Sequence, residues 1–246
     1  MTKNTKVTTE PKIIQEKTFQ RFNIGHRWEH LLLILSATVL LLTGLPQKYR
    51  DLAWSQYLLS TPERLELIRQ IHHIAAIILI IEALYHIGRA IYQIMRRKLS
   101  ADLLPTWQDI IDAGQMIQYL LFIRKDKPKF GKFNFEQKVT YWFIFFGFLF
   151  MIISGVIIWF PVQVTQVLPG DVVPAAKLAH STESVVAAIF ILIWHIYHVH
   201  LERLNLSIFT GRLSEQEMRD YHGKELDRLE RLDRKQSTKV QPGEGK

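Results

Sequence analysis

The chain has 246 residues, a formal net charge of +8 and no cysteine, and 48% of its residues are hydrophobic. The lack of cysteine excludes cysteine-ligated iron–sulfur clusters and covalent c-type haem attachment on this chain. The basic residues flank long apolar blocks instead of forming one basic surface, so we expect no nucleic-acid partner.

Residues 1–22 are polar and lack periodicity, which predicts an N-terminal tail. We expect a membrane domain over residues 23–210 and a charged C-terminal helix and tail over 211–246. A helix needs about 20 largely apolar residues to cross a bilayer. Four blocks meet this length and predict an all-α, four-helix transmembrane bundle: Trp28–Leu45, Ile71–Ile94, Val139–Phe160 and Leu178–Val199.

The long connection between the second and third blocks contains apolar residues at helical spacing, with Asp109, Asp112 and Gln115 between them. This pattern predicts an amphipathic helix that lies on the inner membrane surface and contacts lipid. A small cytoplasmic helical hairpin is the alternative. The apolar residues are Trp107, Ile110, Ile111, Ile117, Leu120 and Leu121.

The distribution of basic residues predicts the orientation. Lys and Arg number six in residues 1–27, nine in 94–138 and ten in 201–246, against three in 46–65 and one in 161–179. Positive charge is retained on the cytoplasmic side of membranes. The pattern therefore predicts a multi-pass protein of the bacterial inner membrane with both termini in the cytoplasm.

Ten histidines in so apolar a chain predict a function, because ionisable side chains are costly within a membrane. The predicted orientation places His72 and His180 near the outer face. His195 lies near the inner face, together with His30 or His86. Haem iron takes axial histidines, and helix bundles hold such cofactors in their cores. The histidines therefore predict two haem b groups at two depths.

Spacing alone leaves other ligands open. His86 shares a helix face with His72 within about 40°, and pairing these two with the histidines of the fourth block would resemble the cytochrome bc1 family. His198 is almost in line with His180, and His73 could exchange roles with His72. Other hypotheses are hydrogen-bonded core histidines, a zinc or copper site, and a transporter with a histidine-lined passage.

Several motifs, taken in order, resemble the gamma subunit of respiratory formate dehydrogenase, a membrane dihaem cytochrome b family. The resemblance runs from about Arg21 to His222. The motifs are Arg27-Trp-Glu-His30 with Thr43-Gly44, Arg69-Gln-Ile-His72, Lys132-Phe-Asn134-Phe-Glu-Gln137-Lys138 with Tyr141-Trp142, Ser154-Gly155-Val-Ile-Ile-Trp159-Phe-Pro161, and His180 with His195-Ile-Tyr197.

The resemblance implies which histidines bind iron. It pairs His72 with His180 at the outer haem and His30 with His195 at the inner haem. His180 and His195 are one residue further apart than the spacing we expect for the family, which turns His195 by about 100° unless a bulge absorbs the extra residue.

The resemblance also implies a site for a quinone, menaquinone or ubiquinone, near Asn134, Gln137 and His195. Helix capping is the alternative role of the two amides. Four basic residues are placed to meet haem propionates, and snorkelling to lipid headgroups is their alternative role. They are Arg27, Arg69, Arg89 and Lys138.

These expectations combine into a function. The chain is predicted to be the electron-transfer subunit of a hetero-oligomeric oxidoreductase, without catalytic side chains of its own. Electrons would pass between an iron–sulfur or multihaem c-type subunit at the outer face and the quinone pool at the inner face. The alternative is a haem-containing anchor for a dehydrogenase or reductase that lacks a quinone site.

Overall fold

A computed structural model describes residues 17–97, 101–201 and 204–240, and it confirms the all-α, four-helix architecture. Four of its helices are long and apolar enough to cross a membrane: α1 (Ile24–Lys48), α3 (Pro62–Met95), α5 (Phe135–Trp159) and the span Val172–Val199 that begins with α7 (Val172–Ile189). The shorter helices are α2 (Ala53–Leu58), α4 (Trp107–Leu120), α6 (Pro161–Thr165), α8 (Ser207–Thr210), α9 (Glu215–Tyr221) and α10 (Gly223–Val240), with a 3₁₀ turn at Ala101–Leu103.

The four spanning helices form a ring in which each borders two others. Backbone contacts join α1 to α3, α5 to α7, and α1 to α7. Side chains close the ring between α3 and α5: the His73 ring stacks on Trp159 with centroids 4.0 Å apart, and His86 Nε2 lies 3.1 Å from the Tyr141 hydroxyl. Helices α3 and α7 therefore face each other across the bundle.

The fourth span changes its helical geometry part of the way along. After α7 the chain continues through the π-helical turns Phe190–His195 and Tyr197–Leu201, and the Ile196 N–H bonds to the carbonyl of Ile191, five residues back. A π turn takes up about one more residue than an α turn. The bulge that the one-residue surplus required is therefore present between His180 and His195.

Helix α4 has the opposite polarity to a helix of a soluble domain. Its apolar residues Trp107 and Ile110 are 75% and 60% exposed, whereas Asp112 is buried. The buried side is fixed to the protein by ion pairs, from Lys138 Nζ to Asp109 (2.9 Å) and from Lys224 Nζ to Asp112 (3.5 Å). An outward apolar face is the arrangement expected of a helix that meets lipid.

A small unit joins the two ends of the chain. Strand β1 (Thr18–Gln20) pairs antiparallel with β2 (Arg212–Ser214), and Leu213, Met218 and Leu226 form a buried cluster. Residues 18–20 were expected to belong to a polar N-terminal tail. They pair instead with a strand of the segment 211–246, which was expected to form a separate C-terminal helix and tail. Residues 1–16 of that tail, together with residues 241–246, lie outside the described residues.

Candidate haem sites

The structure brings together the two histidines predicted for the outer haem, which we call the outer pair. His72 on α3 and His180 on α7 have ring centroids 6.5 Å apart. Two imidazoles that bind one metal ion from opposite sides through bonds of about 2 Å have centroids about 6 Å apart. The outer pair therefore has the spacing of axial ligands to a single iron.

Each histidine of the outer pair is held by a hydroxyl from the neighbouring helix. Thr43 Oγ1 lies 2.9 Å from His72 Nδ1, and Ser154 Oγ lies 3.0 Å from His180 Nδ1. Each hydroxyl also donates to the carbonyl four residues back on its own helix, Val39 (2.6 Å) or Phe150 (2.8 Å).

Because each hydroxyl proton is committed to the backbone, each hydroxyl accepts its second bond from an Nδ1–H group. This fixes the tautomer in which Nε2 of both imidazoles carries a free lone pair. Metal-bound histidines are oriented by such a partner on the other ring nitrogen. The chain thus presents two imidazoles already in the form that binds iron.

A glycine follows each of these hydroxyl residues, and each glycine lies against an imidazole. A Cβ at Gly44 would lie 3.3 Å from Cε1 of His72, and one at Gly155 would lie 3.2 Å from Cε1 of His180. A side chain at either glycine would require the imidazole to shift by a few tenths of an ångström. The repeated hydroxyl–glycine–histidine arrangement gives the outer site two matching halves, one from α1 and α3 and the other from α5 and α7.

The structure also brings together the inner pair, His30 on α1 and His195 at the end of the π turn, with ring centroids 6.2 Å apart. Phe209 packs edge-on against His30, with centroids 6.4 Å apart. The inner pair therefore has the same axial spacing as the outer pair. His195, at the end of the π turn, thus lies opposite His30.

His86, the alternative inner ligand, has both ring nitrogens engaged by the protein. Its Nδ1 lies 3.0 Å from Glu29 Oε2, and its Nε2 lies 3.1 Å from the Tyr141 hydroxyl. Arg89 donates to the same Glu29 oxygen at 2.8 Å. This network occupies His86 without a metal and was not foreseen from the sequence, which gave no sign that Glu29 faces α3.

The other two alternative ligands lie against aromatic rings. His73 stacks on Trp159, and His198 lies 4.5 Å from the Trp194 ring, measured between centroids. Both of these contacts are with indole rings and not with a second imidazole. Among the described residues there is no group of three or more His, Asp or Glu side chains that could hold a metal ion, so the zinc or copper hypothesis has no site there.

Three of the four residues predicted to meet propionates are paired with carboxylates of the protein. Arg69 binds Glu66, Arg89 binds Glu29 and Lys138 binds Asp109. Arg27 differs, because its side chain packs near Gly211 and no carboxylate among the described residues pairs with it. The propionate role of all four residues remains a prediction.

The two amides predicted to bind quinone form the cap of α5. Asn134 Oδ1 accepts from the Gln137 N–H (2.8 Å), and Gln137 Oε1 accepts from the Asn134 N–H (3.2 Å). Arg21 also donates to Gln137 Oε1 at 3.2 Å, and Asn134 is only 2% exposed. The alternative role of these residues, helix capping, is therefore realised, and their contact with quinone stays a prediction.

The donor set fits haem b. Two pairs of opposed imidazoles, a fixed tautomer at the outer pair and glycines at the closest approach are the features that a bis-histidine haem site requires. In a comparison with protein families, the model of prokaryotic cytochrome b561 matches residues 21–211. The formate dehydrogenase resemblance is not confirmed by this match. No curated protein matches the chain.

Proposed function

The chain belongs to the prokaryotic cytochrome b561 family and is a membrane electron-transfer protein that binds haem b; within this family role, we propose that it holds two haems at different depths. His72 and His180 bind the outer haem, and His30 and His195 bind the inner haem. The observation that carries the proposal is the axial spacing of both pairs, 6.5 and 6.2 Å between centroids.

When bound, each haem supplies one-electron chemistry at its iron. The protein itself positions the haems. Helix α7 and its π extension carry one ligand of each pair, His180 and His195, fifteen residues apart. At 1.5 Å per residue this separates the two proposed haems by roughly 22 Å along the span. Two sites at opposite ends of one bundle allow electrons to cross the membrane.

A count of haem per chain tests the ligand set. We expect two haem b groups per chain in a pyridine haemochrome assay of the purified protein. Replacing either member of one pair with Ala should lower the count to one, whereas His86→Ala should leave it at two, because both nitrogens of His86 are bound by the protein. A count of three, or loss of haem in His86→Ala, would contradict the assignment.

We propose that electrons enter or leave through an iron–sulfur or multihaem c-type subunit at the outer face and quinone at the inner face, within a hetero-oligomeric complex of the bacterial inner membrane. Quinone needs polar partners beside the inner pair. Gln137 offers an amide NH₂ group on the predicted inner side of the bundle, whereas the Asn134 NH₂ group donates to Glu136 at 3.2 Å and would have to exchange that partner for quinone. The excess of basic residues in 1–27, 94–138 and 201–246 supports the proposal that both termini are cytoplasmic.

A second function, a haem-containing anchor without quinone chemistry, is favoured by the capping role of Asn134 and Gln137. The variants Gln137→Glu and Asn134→Asp separate the two functions, because each keeps an oxygen for the cap and removes the NH₂ donor, which in Asn134 is also bonded to Glu136. Slower reduction of the haems by a quinol in these variants, with unchanged haem content, supports the quinone site. An unchanged rate supports the anchor.

A further inference from the structure

An open cleft of about 800 Å³ lies between the C-terminal end of α1 and the start of α7, and Lys48, Arg50 and Lys177 line it. The connections predicted to face outward, 46–65 and 161–179, contain only four basic residues in all. Three of them therefore meet in one cleft. Basic residues are depleted from outer connections, so their convergence calls for an anionic occupant.

The cleft adjoins the outer pair. Lys48 lies four residues beyond Gly44, which touches His72, and Lys177 lies three residues before His180. These spacings put each lysine about one helical turn outward on the face that carries the haem contact. Lys48 Nζ also donates to Ser181 Oγ at 3.4 Å, which joins α1 to α7 above the outer pair.

The opposite side of the outer site differs in chemistry, although it is built in the same way. Trp159 on α5 occupies the position that corresponds to Lys48, four residues after Gly155, and its ring is covered by His73. Arg69 corresponds to Lys177, three residues before His72, but it is paired with Glu66. That side is closed by stacked rings and by an ion pair, whereas the α1–α7 side is open and cationic.

The charges of the cleft match those of haem. Lys48, Arg50 and Lys177 contribute three positive charges and Asp51 one negative charge, and the two propionates of a haem contribute two negative charges. Charge-assisted hydrogen bonds between ammonium or guanidinium groups and carboxylates are the strong ones. An acidic surface of a protein partner would match the charge but would not explain why the lysines lie on the faces that carry the haem contacts.

We propose that this cleft binds the propionates of the outer haem, through Lys48 and Lys177 with Arg50 at the rim. The proposal rests on the assignment of His72 and His180 as the outer ligands. It replaces Arg69, the residue predicted from the sequence, with residues on the other side of the bundle.

Potentiometric titration of the purified full chain in lipid nanodiscs tests the proposal. The outer component is identified as the one lost in His72→Ala. Loss of a cation beside a haem disfavours the added electron, so Lys48→Gln, Lys177→Gln and the double variant should shift the outer potential downward, most in the double variant. The inner potential should not move, and Lys48→Arg and Lys177→Arg should restore the outer one.

Arg64→Gln is the matched control, because Arg64 is the fourth outer basic residue and bonds outside the cleft, to the Tyr57 carbonyl and Ser60. Unchanged haem content and unchanged potentials in the lysine variants overturn the proposal. If these variants only slow electron delivery by a partner subunit, the cleft is a docking surface. A shift in Arg69→Gln comparable to that in the lysine variants also overturns it. Retention of both haems in His72→Ala would instead refute the ligand set.

Discussion

At the scale of single residues, the proposed outer haem site includes two hydroxyl groups that hold its histidines and are not themselves proposed as iron ligands. Thr43 and Ser154 accept from the Nδ1–H groups of His72 and His180. A partner of this kind makes an imidazole a stronger donor and stabilises the oxidised iron. We therefore predict that Thr43 and Ser154 act as positioning residues that lower the potential of the proposed outer haem.

Removal of these hydroxyls should raise the outer potential. We expect Thr43→Val and Ser154→Ala each to raise it by roughly tens of millivolts, because a net hydrogen bond is worth about 1 kcal/mol and about 59 mV corresponds to tenfold for one electron. Thr43→Ser and Ser154→Thr keep the hydroxyl and should restore the original value. Potentials that do not change, with intact haem content, would contradict the role of the hydroxyls.

The sequence predicted which histidines meet but not how they are held. Depth and the family resemblance were sufficient to pair His72 with His180, since helix rise and charge asymmetry fix depth. The hydroxyl contacts depend on the rotation of α1 and α5 about their own axes, and the central turns of both helices carry apolar residues on most sides. The spacing of apolar residues along the sequence does not indicate how either helix is rotated. The contacts of Thr43 and Ser154 with the histidines can therefore be identified only from the folded bundle.

At the scale of elements, the π turn Phe190–His195 is a bulge of the kind that the one-residue surplus implied by the family resemblance was expected to need. Deletion of Leu192, which is 60% exposed, should convert the turn to an α-helix and keep His195 opposite His30. We expect this variant to retain two haems per chain. Insertion of one Ala after Leu192 should instead turn His195 by about 100° and reduce the count to one. Loss of the inner haem on deletion would contradict this account.

Helix α4 is attached to the bundle through a carboxylate. Burial alone would raise the pKa of Asp109, but hydrogen bonds from Lys138 and Thr106 and the charge of Lys138 hold that pKa below its ordinary value. Because the pKa is lowered, the ionised Asp109 stabilises the attachment of α4 fully at any pH above the ordinary pKa of Asp. This stabilisation is lost as the pH falls through the lowered pKa. The attachment of α4 should therefore weaken only in strong acid.

Replacement of this carboxylate should release α4 at neutral pH. The side chains of the Lys138–Asp109 pair are 10% and 17% exposed, and Asp109→Asn leaves a largely buried lysine without its partner, at a cost of about 3 kcal/mol. Faster hydrogen exchange in α4 is the expected result. Asp102→Asn, which breaks the exposed pair with Lys132, is the control and should cost at most about 1 kcal/mol.

At the scale of the whole molecule, the sequence predicted the elements that are determined by long apolar blocks or by a helical period of apolar residues. All four spans and α4 were expected, because each has a length or a period that a sequence displays. The pairing of Thr18–Gln20 with Arg212–Ser214 was not, since two three-residue strands almost two hundred residues apart have no periodic signal. The unit that joins the chain ends follows from tertiary contacts alone.

The orientation of the whole bundle can be tested cleanly because the chain contains no cysteine. Gln166→Cys places a thiol in the connection predicted to face outward, and Lys235→Cys places one on α10; both positions are exposed. The excess of basic residues in the inner connections predicts that a membrane-impermeant maleimide labels the first variant in intact cells and the second only after lysis. Labelling in the reverse order would place the His72–His180 pair, together with its basic cleft, at the cytoplasmic face. The donor partner and the quinone would then exchange sides, so this measurement decides the direction in which the two haem levels connect the compartments.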